Sequence, residues 1–374
     1  EWPCVCFFVL QPYLDMRGEN QFVEAVAEQL GQFARDVGSV DLGCFEFASD
    51  SPRADVMISS PAVGVPPFSF SATAVCSGGT PASYAWTVTD GATTLNGTDA
   101  SFSQSVSTLG EWNVSCVVTF AAGAVSTARK TRAFRTGVRE TWVSAAGSET
   151  APYDTEAKAA HRIMDAVNVL VGTAENPGVC HVAAGNYAAS DCDDGTGSHL
   201  IVLDRPIRLV GMGATPAETA IDGANARRTA RVAAKGAALE NVTLYRGRVV
   251  GDASVPNGYG LMLEEGVVTD CVIASDRGKM KDNLECFVYA TGGELVSSVI
   301  SNFVSASYGT ACLLVGTASM RDCLVANCAL AAVDMLTAHV RRAAVMASGA
   351  GTSVEGCRIC GNTMGSANNI SYTG

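Results

Sequence analysis

Histidine is almost missing from this chain, with 4 in 374 residues, and no two of them (His161, His181, His199, His339) lie within metal-ligand spacing. Cys357 and Cys360 make a lone Cys-x-x-Cys pair that no second pair follows, which argues against a zinc site of His and Cys. The 14 cysteines are too few for a small disulfide scaffold. Aromatic residues are scarce at 7% and charged residues at 17%, beside 48% hydrophobic, a balance that excludes global disorder and allows a large core. No apolar run approaches the roughly 18 residues that span a bilayer. The apolar opening Cys4–Leu10 is short and lacks both a basic flank and a starting Met, so it is a poor signal peptide. Positive charge is also short, 25 Lys and Arg against 37 Asp and Glu, for a net −12. Such a surface repels phosphate backbones and anionic headgroups, so neither nucleic acid nor a membrane surface is an expected partner. The most basic runs, around Arg227, Arg228 and Arg231 and at Arg341 and Arg342, read as solvated turns. No nucleophile motif, phosphate loop or dinucleotide fingerprint is present; Gly211-Met212-Gly213-Ala214-Thr215-Pro216 lacks a third Gly and a following helix.

What the chain has is 38 Gly among abundant Ala, Val, Ser and Thr, the composition of many short strands, tight turns and a narrow interior. Both ends read as cut from a longer polypeptide. Three regions separate: 1–50, 51–137 and 138–374. In 51–137, Phe70, Ala72, Ala74 and Cys76 alternate with Ser and Thr, placing one strand face inward. Tyr84-Ala85-Trp86-Thr87-Val88 is a second strand ending at an Asp90-Gly91 turn, and Trp112, Val114, Cys116 and Val118 share one face of a third.

Region 138–374 opens with a strand at Trp142-Val143-Ser144. A helix follows from about Glu156 to Val171, its apolar stripe formed by Ala159, Ile163, Ala166, Val167 and Leu170. From Leu239 a pattern recurs: apolar, any, Asn/Asp/Ser/Gly, usually Cys/Ser/Val, any, apolar. It starts at Leu239, Val268, Leu295, Met320 and Val354, offsets of 29, 27, 25 and 34 residues. A β-rich repeat of that length completes one coil of a solenoid. The expected fold is therefore all-β, a single-stranded right-handed parallel β-helix in which Cys271, Ser298, Cys323 and Cys357 form one inward column. Asn302, Asn327 and, one place later, Asn362 are expected to form an amide ladder that spares buried side chains an unsatisfied cost of about 1–3 kcal/mol.

These motifs carry resemblances. Val40-Asp41-Leu42-Gly43-Cys44-Phe45-Glu46 resembles the closing segment of bacterial β-helix surface proteins, which implies that 1–50 is the tail of an upstream β-helix unit. The Tyr84-x-Trp86 strand with Asp90-Gly91, and Gly110-x-Trp112-x-Val114, resemble the PKD domain, an immunoglobulin-like sandwich; Thr89 stands where that family has Gly. That likeness places Cys76 and Cys116 on facing sheets. They either form a disulfide, its 41-residue loop contributing about 4 kcal/mol, or remain two small apolar thiols. Trp142-Val143-Ser144, Pro152-Tyr153-Asp154-Thr155, the helix, Cys180–Tyr187, Arg208–Gly213 and Ile221-Asp222-Gly223 together resemble the pectin-lyase-like β-helix repeats of surface proteins. The resemblance implies that the helix plugs the N-terminal end of the stack.

Such folds host polysaccharide lyases and glycoside hydrolases as well as adhesins, so the site must decide. Gly-His-Gly is absent and Asp193-Asp194 is the one Asp-Asp. Asp191, Asp193 and Asp194 line a solvated turn or, as the alternative, offer oxygen ligands to calcium; no cofactor is otherwise expected. Asp276, Arg277, Lys279, Lys281 and Asp282 supply lyase-type residues, but within a single insert. No catalytic residue is assigned. The expectation is a non-catalytic extracellular or cell-surface structural or adhesive protein whose partners are surface glycans or proteins, with a lyase or hydrolase as the alternative.

Overall fold

A computed structural model describes residues 51–193, 195, 198–248, 258–276, 285–305, 309–330 and 343–364. The closing-segment motif at 40–46, Asp194, and Arg277, Lys279, Lys281 and Asp282 lie outside them. The described protein is all-β, with long parallel sheets following an antiparallel part.

Between Arg53 and Thr136 two sheets face each other over one core. Arg53–Ile58, Phe68–Ser77 and Ser101–Val106 form the first. Val63–Gly64, Val125–Thr136, Gly110–Phe120, Pro81–Thr89 and Thr94–Gly97 form the second. Alternation does the sorting: Phe68, Phe70 and Ala72 are buried while Ser69 is exposed. Aromatic rings pack together in this core, with Phe70 stacked on Phe134 at 4.2 Å and Trp112 on Phe134 at 5.6 Å. Each buried indole N–H is satisfied, Trp112 Nε1 donating to Thr136 Oγ1 (3.0 Å) and Trp86 Nε1 to the Asp99 carbonyl (2.8 Å). At the Asp90-Gly91 turn, Asp90 Oδ1 accepts from the Ala92 and Thr93 amides while Gly91 takes φ +95°. Cys76 and Cys116 sit on the two opposing sheets against this core, and both are free thiols in this structure.

Among the described residues from Val138 onward, every paired strand runs parallel to its neighbour. One sheet takes Glu140–Val143, Gly178–Val182, Ile207–Gly211, Arg228–Glu240, Gly258–Thr269, Glu285–Ala290, Gly309–Val315 and Ala343–Ser348 in chain order. A second takes Gly185–Tyr187, Thr219–Asp222, Thr243–Tyr245, Val272–Ala274, Val299–Ser301, Leu324–Ala326 and Arg358–Cys360. Short pairs at Val304–Ser305, Ala329–Leu330 and Thr363–Met364 make a third. Because the chain revisits each sheet in turn, like positions stack. Tyr187, Ile221, Leu244, Ile273, Ile300, Val325 and Ile359 form one column. Leu209, Leu239, Val268, Leu295, Met320 and Val354 form another.

The recurring third motif position has a backbone cause. Asn241, Asp270, Ser297, Asp322 and Gly356 hold φ of 53°, 53°, 46°, 55° and 61° at the corner between the first two sheets. Left-handed backbone favours Gly, Asn and Asp, which is why those types recur there.

The N-terminal end departs from the expected helix. Only Ile163–Asn168 is α-helical, with a 3-10 turn at Glu156–Lys158. Ala160 bonds to Trp142 and Ser144 at 2.9 Å each, and Val171 N–H donates to Val138 (3.0 Å), so the flanking backbone is extended along the strand edge. Pairing with that edge outcompetes helix there. All five residues of the stripe are nonetheless fully buried, and the segment covers the first strand. The strand His199–Leu203 was also unanticipated.

Toward the last described strands the columns are more exposed. Ile300 and Val325 are fully buried, but Ile359 is 41% and Val354 38% exposed. Truncating Ile300 to Ala is expected to cost about 2–4 kcal/mol, and the same change at Ile359 less than about 1 kcal/mol, read from urea unfolding midpoints. Equal losses would contradict the stacking order.

Candidate functional site

Cys271, Ser298, Cys323 and Cys357 are brought together as one column beside the left-handed corner. The column is a hydrogen-bonded ladder. Cys271 N–H donates to Ser298 Oγ (3.1 Å), Ser298 N–H to Cys323 Sγ (3.4 Å) and Cys323 N–H to Cys357 Sγ (3.4 Å). Each side chain donates in turn to the carbonyl two residues earlier, Ser298 Oγ to Val296 at 2.7 Å and Cys323 Sγ to Arg321 at 3.2 Å. The corner leaves those amides without a strand partner, and a small hydroxyl or thiol supplies one. Burial pushes the Cys271 thiol up to about 12 and Cys323 up to about 11. Such thiols are packing groups rather than nucleophiles.

The Asn residues bond each other and the backbone as expected, but not in the interior. Asn302 and Asn327 occupy left-handed positions (φ 58° and 59°) at a second corner, where Gly361 (φ 65°) takes the next place. Asn327 is exposed, and its Nδ2 donates to Asn302 Oδ1 at 2.6 Å. Asn362 stands one position on; its Oδ1 accepts from Cys328 N–H and its Nδ2 donates to the Val325 carbonyl, both at 2.9 Å. The amides therefore form a rail on the rim rather than an interior ladder. Asn302 and Asn327 answer the backbone angle, whereas Asn362 is held by its two bonds to backbone.

The charged residues gather around the early circuits. Arg227 grips both oxygens of Asp193 at 2.7 Å, and this pair is largely buried. Arg246 Nε donates to Asp222 Oδ1 at 2.9 Å while its Nη2 bonds Oδ2. Burial works to raise the Asp222 carboxyl, but Arg246 and the Ala224 amide outweigh it and hold the group below the usual range. Arg208 holds both Glu240 oxygens (2.8 and 2.7 Å), Arg231 holds Glu264 (2.6 Å), and Asn225 Nδ2 donates to Asp276 Oδ2 (2.8 Å).

For the calcium expectation, Asp193 and Asp191 are already engaged. Asp193 faces Arg227, and Asp191 Oδ2 accepts from the Ala188 amide (3.0 Å). A cation at Asp193 would have to displace a guanidinium. Among the described residues no group of three His, Cys, Asp or Glu is placed to hold a metal. The ion pairs escaped sequence reasoning, yet a signal existed. The partners stand 34 (Asp193, Arg227), 32 (Arg208, Glu240) and 33 (Arg231, Glu264) residues apart, close to one circuit.

His199 is buried beside Arg227, with Nδ1 on Ser198 Oγ (2.9 Å) and Nε2 without a partner. Burial, reinforced by Arg228, Arg231 and Arg227, lowers it from 6.5 to about 4, so the folded protein keeps it neutral. Known protein families provide no match to the chain, and no curated protein resembles it at a significant level.

Two outcomes follow from this geometry. Ser298→Ala, which orphans the Cys271 amide, should lower stability by about 1–3 kcal/mol, whereas Ser298→Cys should be nearly neutral, as measured by chemical denaturation. For His199 the unfolded chain takes up a proton near pH 6.5 while the folded one resists until about 4. Stability from this group is therefore whole above pH 6.5 and is lost as pH falls through 4, by on the order of 3 kcal/mol. A His199→Gln variant should flatten that part of the Tm-against-pH curve; an unchanged slope would refute the assignment.

Proposed function

We propose that residues 138–374 form a right-handed single-stranded parallel β-helix of the pectin-lyase-like kind, preceded by a PKD-like, immunoglobulin-like sandwich. On this reading the chain is a non-catalytic structural or adhesive element of an extracellular or cell-surface protein. Its ligands are surface glycans or proteins that meet the outward face of the stack. The observation that carries the reading is the fate of the carboxylates: Asp193, Asp222, Glu240 and Glu264 are each clamped by an arginine, Asp193, Glu240 and Glu264 by one about a circuit away. A hydrolase needs one carboxyl raised to act as acid and a second free to act as base or nucleophile. Carboxylates held by guanidinium groups supply neither, but they stiffen the rod between circuits. The small column residues and parallel register support the same reading, since they serve stacking.

The test incubates the purified chain with acidic and neutral polysaccharides, assaying new reducing ends and unsaturated products, beside a glycan array. Binding without turnover is the expected result. Turnover that disappears in Asp193→Asn or Asp276→Asn would replace the adhesive reading with the lyase or hydrolase one.

A further inference from the structure

The two antiparallel sheets end in the edge strands Arg53–Ile58, Ser101–Val106, Val63–Gly64 and Thr94–Gly97, and an edge carries backbone groups that its own sheet cannot bond. Three of these edges are provided for. On Arg53–Ile58 the Ala54 amide donates to Ser126 Oγ (3.0 Å) and the Val56 amide to Asp55 Oδ1 (2.7 Å), while Lys130 pairs with Asp55 (3.0 Å). Thr94–Gly97 is short, and its Asn96 carbonyl accepts from Gln104 Nε2 (2.8 Å). Val63–Gly64 is shorter still and stands between Pro61 and the Pro66-Pro67 pair. Ser101–Val106 has none of these devices, and it contains no charge, no Pro and no Gly. Ala74 N–H donates to the Ala100 carbonyl opposite it (3.0 Å), and the register sets Ala72 against Phe102 and Phe70 against Gln104. Ladder bonds of an antiparallel pair alternate. Phe102 and Gln104 therefore bond into their own sheet, whereas Ser101, Ser103 and Ser105 turn N–H and C=O outward. All three serines are exposed, and among the described residues nothing bonds those outward groups.

We propose that Ser101–Val106 is a self-association edge, pairing antiparallel about a two-fold axis with the same strand of a second copy. Centred on Ser103, the pairing sets Ser103 against its own equivalent and Ser101 against Ser105. Each such pair exchanges both of its outward backbone bonds, and the two three-stranded sheets continue as one. A second copy is the occupant because the strand is self-complementary and uncharged. Its exposed face is hydroxyl, as is that of the strand beside it, where Ser71 Oγ lies 3.1 Å from Ser103 Oγ and Thr73 Oγ1 3.1 Å from Ser101 Oγ. In a chain of net charge −12, two copies approach along this edge without setting like charges opposite one another. A single strand pair buries little area, so the dimer is weak and forms where chains are concentrated. This pairing is independent of what the parallel stack binds.

The experiment is sedimentation equilibrium of the full chain over a range of concentrations, with reductant present to exclude thiol cross-links. A reversible monomer–dimer equilibrium is expected. Ser103→Lys, which sets two like charges across the axis, should weaken dimerisation about tenfold or more. Val75→Lys adds the same charge at an exposed position of the middle strand and should leave dimerisation unchanged. Hydrogen exchange of the unaltered chain gives a readout independent of variant folding. Peptides covering 101–106 should gain protection as concentration rises, and peptides covering 53–58 should not. A chain that stays monomeric at every concentration overturns the proposal. So does a dimer that survives Ser103→Lys, one that Val75→Lys weakens equally, or one that forms without protecting 101–106.

Discussion

A short strand that packs only one face cannot bury itself, and the described strands from Glu140 onward answer that constraint by returning to the same sheet in register. Parallel pairing aligns Ile273 over Ile300 over Val325, so each side chain is sealed by its equivalent one circuit away. Backbone bonding and side-chain burial are then the same requirement, because a slip of one residue would turn the whole column outward. The corners inherit the rule. A left-handed residue makes the bend, and the next small side chain serves the amide that the bend strands. The column Cys271, Ser298, Cys323, Cys357 is the result. Cys and Ser interchange there because a thiol and a hydroxyl both accept one bond and donate one.

The ends of such a stack lack a neighbour, and the N-terminal end is closed in detail. The Ile163–Asn168 helix seals the first interior layer, and carbonyls at and just past its C-terminus receive guanidiniums from two directions. Arg205 donates to Leu170 (3.0 Å) and Val167 (3.3 Å), while Arg135, from the antiparallel part, donates to Asn168. Glu111 steadies Arg135 at 2.8 Å. Gly137, between the two parts, lies so near the Val169 carbonyl that a Cβ would approach its oxygen to 2.3 Å. The cap therefore also fastens the two parts together, and no free linker separates them.

How much of this was legible follows from what each signal encodes. The circuit period showed because the corner repeats a backbone demand that few residue types meet. The buried stripe of the cap was legible too, since Ala159, Ile163, Ala166, Val167 and Leu170 declare a face whatever the backbone does. The helix length was not legible, because Ala160 and Val171 have strand partners that no local pattern reveals. The Asn residues were misread for a related reason: an Asn repeated at fixed spacing signals either an amide bond or a positive φ, and only coordinates distinguish Asn302 and Asn327 from Asn362. Strand His199–Leu203 lacks the Gly that ends its neighbours, and so offered no boundary.

The same register that builds the core decides what chemistry the surface can hold. A charged residue facing outward on one circuit has the next circuit's residue about 4.8 Å away, well within ion-pair reach. On such a lattice a lone carboxylate is hard to keep, since any arginine one circuit on will neutralise it, as Arg227 does to Asp193. Reactive carboxylates would have to stand where the circuits above and below offer no cation. Asp193, Asp222, Glu240 and Glu264 do the opposite, each meeting an arginine.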